Sequence, residues 1–324
     1  MRILLSRGAG AELRPRINET FAGRPFELLA PPAGLASDFD AAFVSRDVTG
    51  RSTKFEVEPD TQRFHDALRQ AASLRWVHIH SAGADRPIYP ELQARGVVVT
   101  TSSGANAPIV AQSALAGILA LVRRLPLLME QQRARQWKSL IGDLPRDLAG
   151  QRAAILGWGP IGRHLASWLQ ALGVSVSIVR SSAEPAGTHP TFAFDRLLEA
   201  AAQADWLVIA CPLTERTRAA IGRPVLDAMP PAAHVVNVGR GEIVVQSDLV
   251  EALRSGKLAG AYLDVFELEP LPADSPLWSM PNVIVTPHSA GMSAGNEARV
   301  ADMFIENLRR FLDGEPLLRV AAAR

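Results

Sequence analysis

The sequence predicts an α/β protein built from two doubly wound domains. Three observations carry that expectation. Short apolar runs alternate with segments of helical period along nearly the whole chain, the pattern of parallel sheets with crossover helices. The alternation breaks once, at a polar passage containing Pro108, and then begins afresh. At 324 residues the chain is also long enough for about two domains.

In the first third, strands are expected at Ile3–Ser6, Phe26–Leu29, Ala42–Val44, Trp76–His80 and Val97–Thr100, with helices near Ala11–Phe21, Thr61–Ala72 and Tyr89–Ala94. Ser102–Pro108 then reads as a loop. Asn106 suits the cap of a helix whose first turn holds Pro108, where a missing N–H is harmless. That helix, Ile109–Leu121, has so little polar surface that it must be buried, between domains or against another subunit. A second alternation places strands at Arg152–Leu156, Val174–Val179, Trp206–Ala210, His234–Val238, Ala259–Leu263 and Val283–Val285, with helices between most of them. Asn296–Leu312 turns helical again, with apolar residues at Val300, Met303, Phe304, Leu308 and Phe311.

Composition narrows the function classes. Hydrophobic residues make up 48% and charged residues 21%, the balance of a soluble globular protein. The formal net charge of +1 gives no support to nucleic-acid binding. Cys211, the single cysteine, cannot form an intramolecular disulfide. Met1–Ser6 reads as a strand and not as a secretory signal. The most apolar stretch, Pro108–Val122, falls short of the roughly 20 residues that cross a bilayer. A cytoplasmic protein without a membrane or nucleic-acid partner is expected.

Gly157-Trp158-Gly159-Pro160-Ile161-Gly162 is a G-x-G-x-x-G. Alone the pattern is weak, because glycines are common in turns. Here an apolar strand precedes it and the helix-periodic Ile161–Leu172 follows. In that setting Gly157 makes the tight turn, Gly159 lets backbone approach a pyrophosphate, and Gly162 lets helix and strand pack closely. Pro160 and Ile161 open the helix, whose free N–H groups face the pyrophosphate charge. At the end of the next strand an NAD-preferring fold places a carboxylate on the ribose 2′-hydroxyl. This chain reads Val179-Arg180-Ser181-Ser182 there. Arg180 and Ser181 suit a 2′-phosphate, so NADP(H) is the expected cofactor, with NAD(H) possible.

Three downstream segments complete a larger pattern: Val236-Asn237-Val238-Gly239-Arg240-Gly241, Leu263-Asp264-Val265-Phe266-Glu267-Leu268-Glu269-Pro270, and Thr286-Pro287-His288-Ser289-Ala290-Gly291. Together with the glycine turn, Ser81-Ala82-Gly83, Pro212-Leu213-Thr214 and Pro276-Leu277-Trp278, the chain resembles the D-isomer-specific 2-hydroxyacid dehydrogenases. The arginine-serine strand ending looks most like the glyoxylate/hydroxypyruvate reductase branch. The resemblance implies a Rossmann-type cofactor domain at 100–291 and a flavodoxin-like substrate domain at 1–99, completed by 292–324. It also implies an active site and hinge in the cleft between them, and a homodimer.

By that resemblance the catalytic arginine, glutamate and histidine fall on Arg240, Glu269 and His288. The chemistry suits them. Reducing a 2-oxo acid builds negative charge on the C2 oxygen, and protonated His288 can supply its proton. Glu269 on the other ring nitrogen would fix the tautomer and favour the imidazolium. Arg240 offers a planar cationic fork to the oxo group and the carboxylate. Asp264 is carried over as a nicotinamide contact, and the N–H groups of Ala82 and Gly83 as a carboxylate nest. Cys211, Pro212 and Val238 are expected beside the nucleotide, Cys211 as a buried filler and not a reactive thiol.

Other features admit plainer readings. His78 and His80 alternate on one strand face, but core packing suits them better than metal, and no metal site is expected. Trp137 suits an active-site contact and interdomain packing equally. Gln112 stands where the family usually has glutamate. The stretch Ser45–Glu58, with Arg46, Arg51 and Lys54, reads as a solvated loop that could also greet an anionic substrate. Two rival functions remain: a nucleotide-sensing regulator on the same fold, and a formate dehydrogenase. That second branch carries glutamine where this chain has Glu269.

Overall fold

The computed structural model describes residues 1–31, 38–50, 52, 56–182 and 184–322. Two compact units emerge, Met1–Asn106 with Ser293–Arg324, and Ala107–Met292. In chain order the first stretch holds β1 (Arg2–Leu4), α1 (Arg7–Phe21), β2 (Glu27–Leu29), β3 (Ala41–Val44), α2 (Arg46–Thr49), α3 (Pro59–Gln70), β4 (Trp76–Ile79), α4 (Ile88–Ala94) and β5 (Val98–Thr101). Next come α5 (Ala107–Val122), α6 (Leu125–Arg133), β6 (Arg152–Leu156), α7 (Pro160–Ala171), β7 (Ser175–Arg180), β8 (Thr191–Ala193) and α8 (Leu197–Ala201). The second unit ends with β9 (Trp206–Ile209), α9 (Arg223–Ala228), β10 (Ala233–Asn237), α10 (Gln246–Arg254), β11 (Leu258–Leu263) and β12 (Val283–Val285). α11 (Asn296–Asp313) returns to the first unit.

Unit one carries a parallel sheet in the order β2-β1-β3-β4-β5, the flavodoxin-like arrangement. Its core joins the strands to α11. Phe304 is fully buried and stacks on Phe43 at 4.6 Å and on Trp76 at 5.6 Å. A polar thread runs through the same core. Trp76 Nε1 donates to Thr100 Oγ1 at 2.8 Å, and the Thr100 hydroxyl donates to His78 Nδ1 at 2.8 Å, because the neutral ring carries its proton on Nε2. His78 Nε2 then donates to Ser102 Oγ at 3.1 Å, and Ser102 to the Ile79 carbonyl at 3.0 Å. Burial pushes the His78 pKa down to about 3, so this neutral ring is core. His80 bonds Thr49 Oγ1 through Nε2 at 2.9 Å and is likewise lowered by burial, to about 4.

Unit two carries a seven-stranded parallel sheet, β12-β11-β10-β9-β6-β7-β8. Renumbered from β6, this is the Rossmann order with one added strand. Its central strands β6, β9, β10 and β11 are almost wholly buried, as befits a sheet covered on both faces.

Several local expectations shift. Ser6 does not extend the first strand but caps α1, its Oγ accepting from Ala9 N at 2.9 Å, so the helix starts at Arg7. α2 falls inside the stretch expected as loop, with Val48 and Thr49 buried; Arg51 and Lys54 lie outside the described residues. α5 was expected between domains or against another subunit. One face buries Val110, Ala111, Ala114, Gly117, Ile118 and Leu121 within its own unit, in one apolar cluster with α7 and residues of β10 and β11. A Cβ on Gly117 would overlap the Tyr262 ring, so glycine sets that close approach. Among the described residues no single helix is long and apolar enough to cross a membrane.

Candidate active site

Residues in unit two that could hold a dinucleotide sit at the C-terminal edge of its sheet. Gly157 adopts φ +114°, and a Cβ there would lie 2.7 Å from the Ala210 carbonyl oxygen. A Cβ on Gly162 would overlap the Gly157 carbonyl. An added Cβ on Gly159 meets nothing within 4 Å, so open space lies on the side where a pyrophosphate would approach. Gly159 caps α7, with Pro160 as its first residue and Ile161 next. The turn fits a pyrophosphate: its outer glycines are needed by neighbouring backbone, and its middle one faces room for the ligand.

Beside it lies a cavity of about 260 Å³ whose lining includes Gly157, Arg180, Ser181, Cys211 and Pro212, all expected from sequence. Trp158 of the glycine turn lines it too, as do Phe194 and Arg216, which were missed because their approach depends on how separate segments fold. Cys211 is buried, its thiol pushed up to about 12 by desolvation, so it is a filler and not a nucleophile. Val238 is buried at the end of β10, its N–H donating to the Ile209 carbonyl at 3.1 Å. The strand ending holds no carboxylate, yet Glu184 folds back to place its Oε2 3.4 Å from Arg180 Nη2.

Arg240, Glu269 and His288 emerge from successive strand edges of the same unit, after β10, β11 and β12. Glu269 Oε2 accepts from His288 Nδ1 at 2.8 Å, while its Oε1 accepts from Phe266 N at 3.0 Å. Both carboxylate oxygens are thus anchored. With Nδ1 donating to Glu269, Nε2 is the ring nitrogen left for other partners. The bond to Glu269 raises the His288 pKa above its usual 6.5, against opposition from burial and the Arg240 charge. Asn237 Nδ2 donates to the Arg240 carbonyl at 3.0 Å, and Asn237 Oδ1 accepts from Gly239 N at 3.1 Å, closing the turn that presents Arg240. A Cβ on Gly241 would overlap the Phe266 backbone, so this turn packs directly on the loop that carries Glu269.

Asp264, expected as a nicotinamide contact, is tied into the loop that carries His288. Its Oδ1 accepts from Thr286 Oγ1 at 2.6 Å, Ser289 N at 2.8 Å and Ala290 N at 3.0 Å. Its carbonyl accepts from His288 N at 2.8 Å. Buried Asp264 therefore clamps the loop bearing His288, which sits at φ +49°. Ala82 and Gly83 belong to unit one, in a turn where Ser81 Oγ donates to the Gly83 carbonyl at 2.8 Å. Trp137 is fully exposed and packs on nothing in its own unit.

A doubly wound unit with this glycine turn and a histidine–carboxylate pair on its strand edges has the form of a nicotinamide-dependent oxidoreductase. Similarity to known proteins narrows the class. The sequence profile described as D-isomer specific 2-hydroxyacid dehydrogenase, NAD binding domain, matches residues 115–290. A glyoxylate/hydroxypyruvate reductase B of Yersinia pestis is 32% identical over 323 residues, covering 96% of this chain and 94% of its own. A hydroxyphenylpyruvate reductase of Plectranthus scutellarioides is 35% identical over 245 residues, 76% of this chain and 77% of its own. A solved D-isomer specific 2-hydroxyacid dehydrogenase of Xanthobacter autotrophicus, in complex with NADPH and MES, aligns with a TM-score of 0.79 at 28% identity. That alignment covers 100% of this chain and 98% of the other. The chain belongs to the D-isomer specific 2-hydroxyacid dehydrogenase family and is an oxidoreductase.

Proposed function

We propose that the chain reduces small 2-oxo acids of the glyoxylate and hydroxypyruvate type to D-2-hydroxy acids, with NADP(H) preferred. The observation that carries this reading is the 2.8 Å pair of Glu269 and His288, its partners anchored on both sides. Ala107–Met292 acts as the cofactor domain and the other unit as the substrate domain. The named functions of relatives support the substrate class: one solved relative is an NADPH-dependent glyoxylate/hydroxypyruvate reductase of Sinorhizobium meliloti bound to NADP and sulfate. It aligns at a TM-score of 0.77 and 26% identity, over 99% of this chain and 98% of its own.

Gly157, Gly159 and Gly162 would hold the pyrophosphate, with Pro160 and Ile161 opening the helix behind it. Arg180 and Ser181 would take the 2′-phosphate, and Cys211, Pro212 and Val238 would wall the nucleotide. When bound, the cofactor supplies the hydride. Arg240 binds the substrate carboxylate and oxo oxygen and fixes the face that C2 presents. Ala82 and Gly83 add backbone N–H donors for the carboxylate. His288 gives a proton from Nε2 to the oxygen at C2, and Glu269 stabilises the charged ring before transfer.

Steady-state assays with NADPH and NADH across a panel of 2-oxo acids test the reading. The expected result is turnover of glyoxylate and hydroxypyruvate with higher kcat/KM for NADPH, and a His288→Ala variant that binds cofactor but loses about 10²-fold or more in kcat. No reduction of any 2-oxo acid overturns the proposed activity. Near-wild-type turnover in the variant removes His288 from its role.

A further inference from the structure

Two arginines line the cavity at the end of β7, Arg180 from the strand itself and Arg216 from a loop, and a carboxylate four residues on engages Arg180. Arg180 donates through Nη1 to the Glu184 carbonyl at 3.4 Å and pairs through Nη2 with the Glu184 carboxylate at 3.4 Å. The Arg180 side chain is 28% exposed and that of Glu184 75%. Arg216 comes from the loop after β9. Its Nη1 donates to the Ser181 carbonyl at 3.1 Å, and its guanidinium lies over the Phe194 ring at 4.8 Å. Two contacts therefore hold Arg216 beside Ser181 before any ligand arrives, which lowers the entropy lost on binding.

We propose that Arg216 is a second cation for the cofactor 2′-phosphate and that Glu184 is a displaceable anion standing in for that phosphate on Arg180. The proposal rests on the NADP(H) reading and adds the residues that set how strong the preference is. A half-exposed ion pair holds weakly. A phosphate carries up to about two charges and three acceptor oxygens, so it outcompetes a single carboxylate for Arg180. Glu184 then swings to solvent, which already covers most of its side chain. With an unphosphorylated ribose Glu184 stays, and its oxygens remain available to a 2′-hydroxyl. Arg216 strengthens phosphate binding, while Glu184 blunts it and keeps the unphosphorylated cofactor usable.

Calorimetric titration of the full chain with 2′,5′-ADP and with 5′-AMP separates the contributions. Wild type binds 2′,5′-ADP more tightly. Glu184→Gln raises the 2′,5′-ADP/5′-AMP affinity ratio about threefold, the scale of an exposed ion pair. Arg216→Gln lowers that ratio about tenfold, the scale of a hydrogen bond to a charged group. Affinity for 5′-AMP within about twofold of wild type in Arg216→Gln reports an intact fold and isolates the phosphate contribution. An unchanged ratio in either variant, with wild type still discriminating, overturns the proposal and leaves the NADP(H) reading standing. Equal affinity of wild type for the two probes overturns that reading and the proposal with it.

Discussion

His288 occupies a left-handed backbone conformation, φ +49°, which non-glycine residues adopt only where surroundings hold them. Asp264 does the holding, accepting from the Thr286 hydroxyl before His288 and from the Ser289 and Ala290 N–H groups after it, and Glu269 orients the ring. Because the Glu269 bond raises the His288 pKa, protonated His288 persists above pH 6.5. The sign follows: both the stabilisation from this pair and the proton needed for reduction are present at low pH and are lost as pH rises through the raised value. In Glu269→Gln the basic limb of the reduction rate moves to lower pH, because burial and the Arg240 charge then act without the opposing carboxylate. A pH profile of kcat/KM checks it, and a limb that stays in place detaches Glu269 from the titration. The identities of Arg240, Glu269 and His288 were legible because each lies in a distinctive segment. The work of Asp264 was not, since its partners Ser289 and Ala290 sit some 25 residues away and meet it only once β11 and β12 pair.

At the level of elements, strong periodicity was a faithful guide and its absence was not. α3 and α11 each have one clear apolar face, and both were expected close to where they lie. α6 buries no residue, so no apolar stripe marked it. α2 and β8 span four and three residues, too short for any period to register. α11 shows how an element distant in sequence completes a core, with Phe304 stacked on β3 and β4 residues. Phe304→Ala should destabilise the protein by about 3–5 kcal/mol, read from denaturant unfolding. A loss below about 1 kcal/mol would show that the site collapses around the cavity and that the stacking matters little.

For the whole molecule, the segment after α5 exposes Leu125, Met129, Trp137, Ile141 and Leu144. Monomers seldom leave so many large apolar side chains in water. A homodimer, which the family resemblance implies, would cover this segment, a role that fits full exposure of Trp137 in a single chain. Sedimentation of wild type as a dimer, and of a Met129→Glu/Ile141→Glu double variant as a monomer, is the expected outcome. A wild-type monomer at micromolar concentration would remove the dimer.

The sequence by itself determined the α/β class, the glycine turn, the family, and the three segments that carry Arg240, Glu269 and His288. Those properties reside in local spacing and in residue types that few reactions require. Tertiary structure alone decided which strands α5 packs on, that Asp264 clamps the His288 loop, and that Arg216 reaches the end of β7. Each depends on strand order, which brings loops from distant parts of the chain to one edge of a parallel sheet. No window of sequence contains that edge.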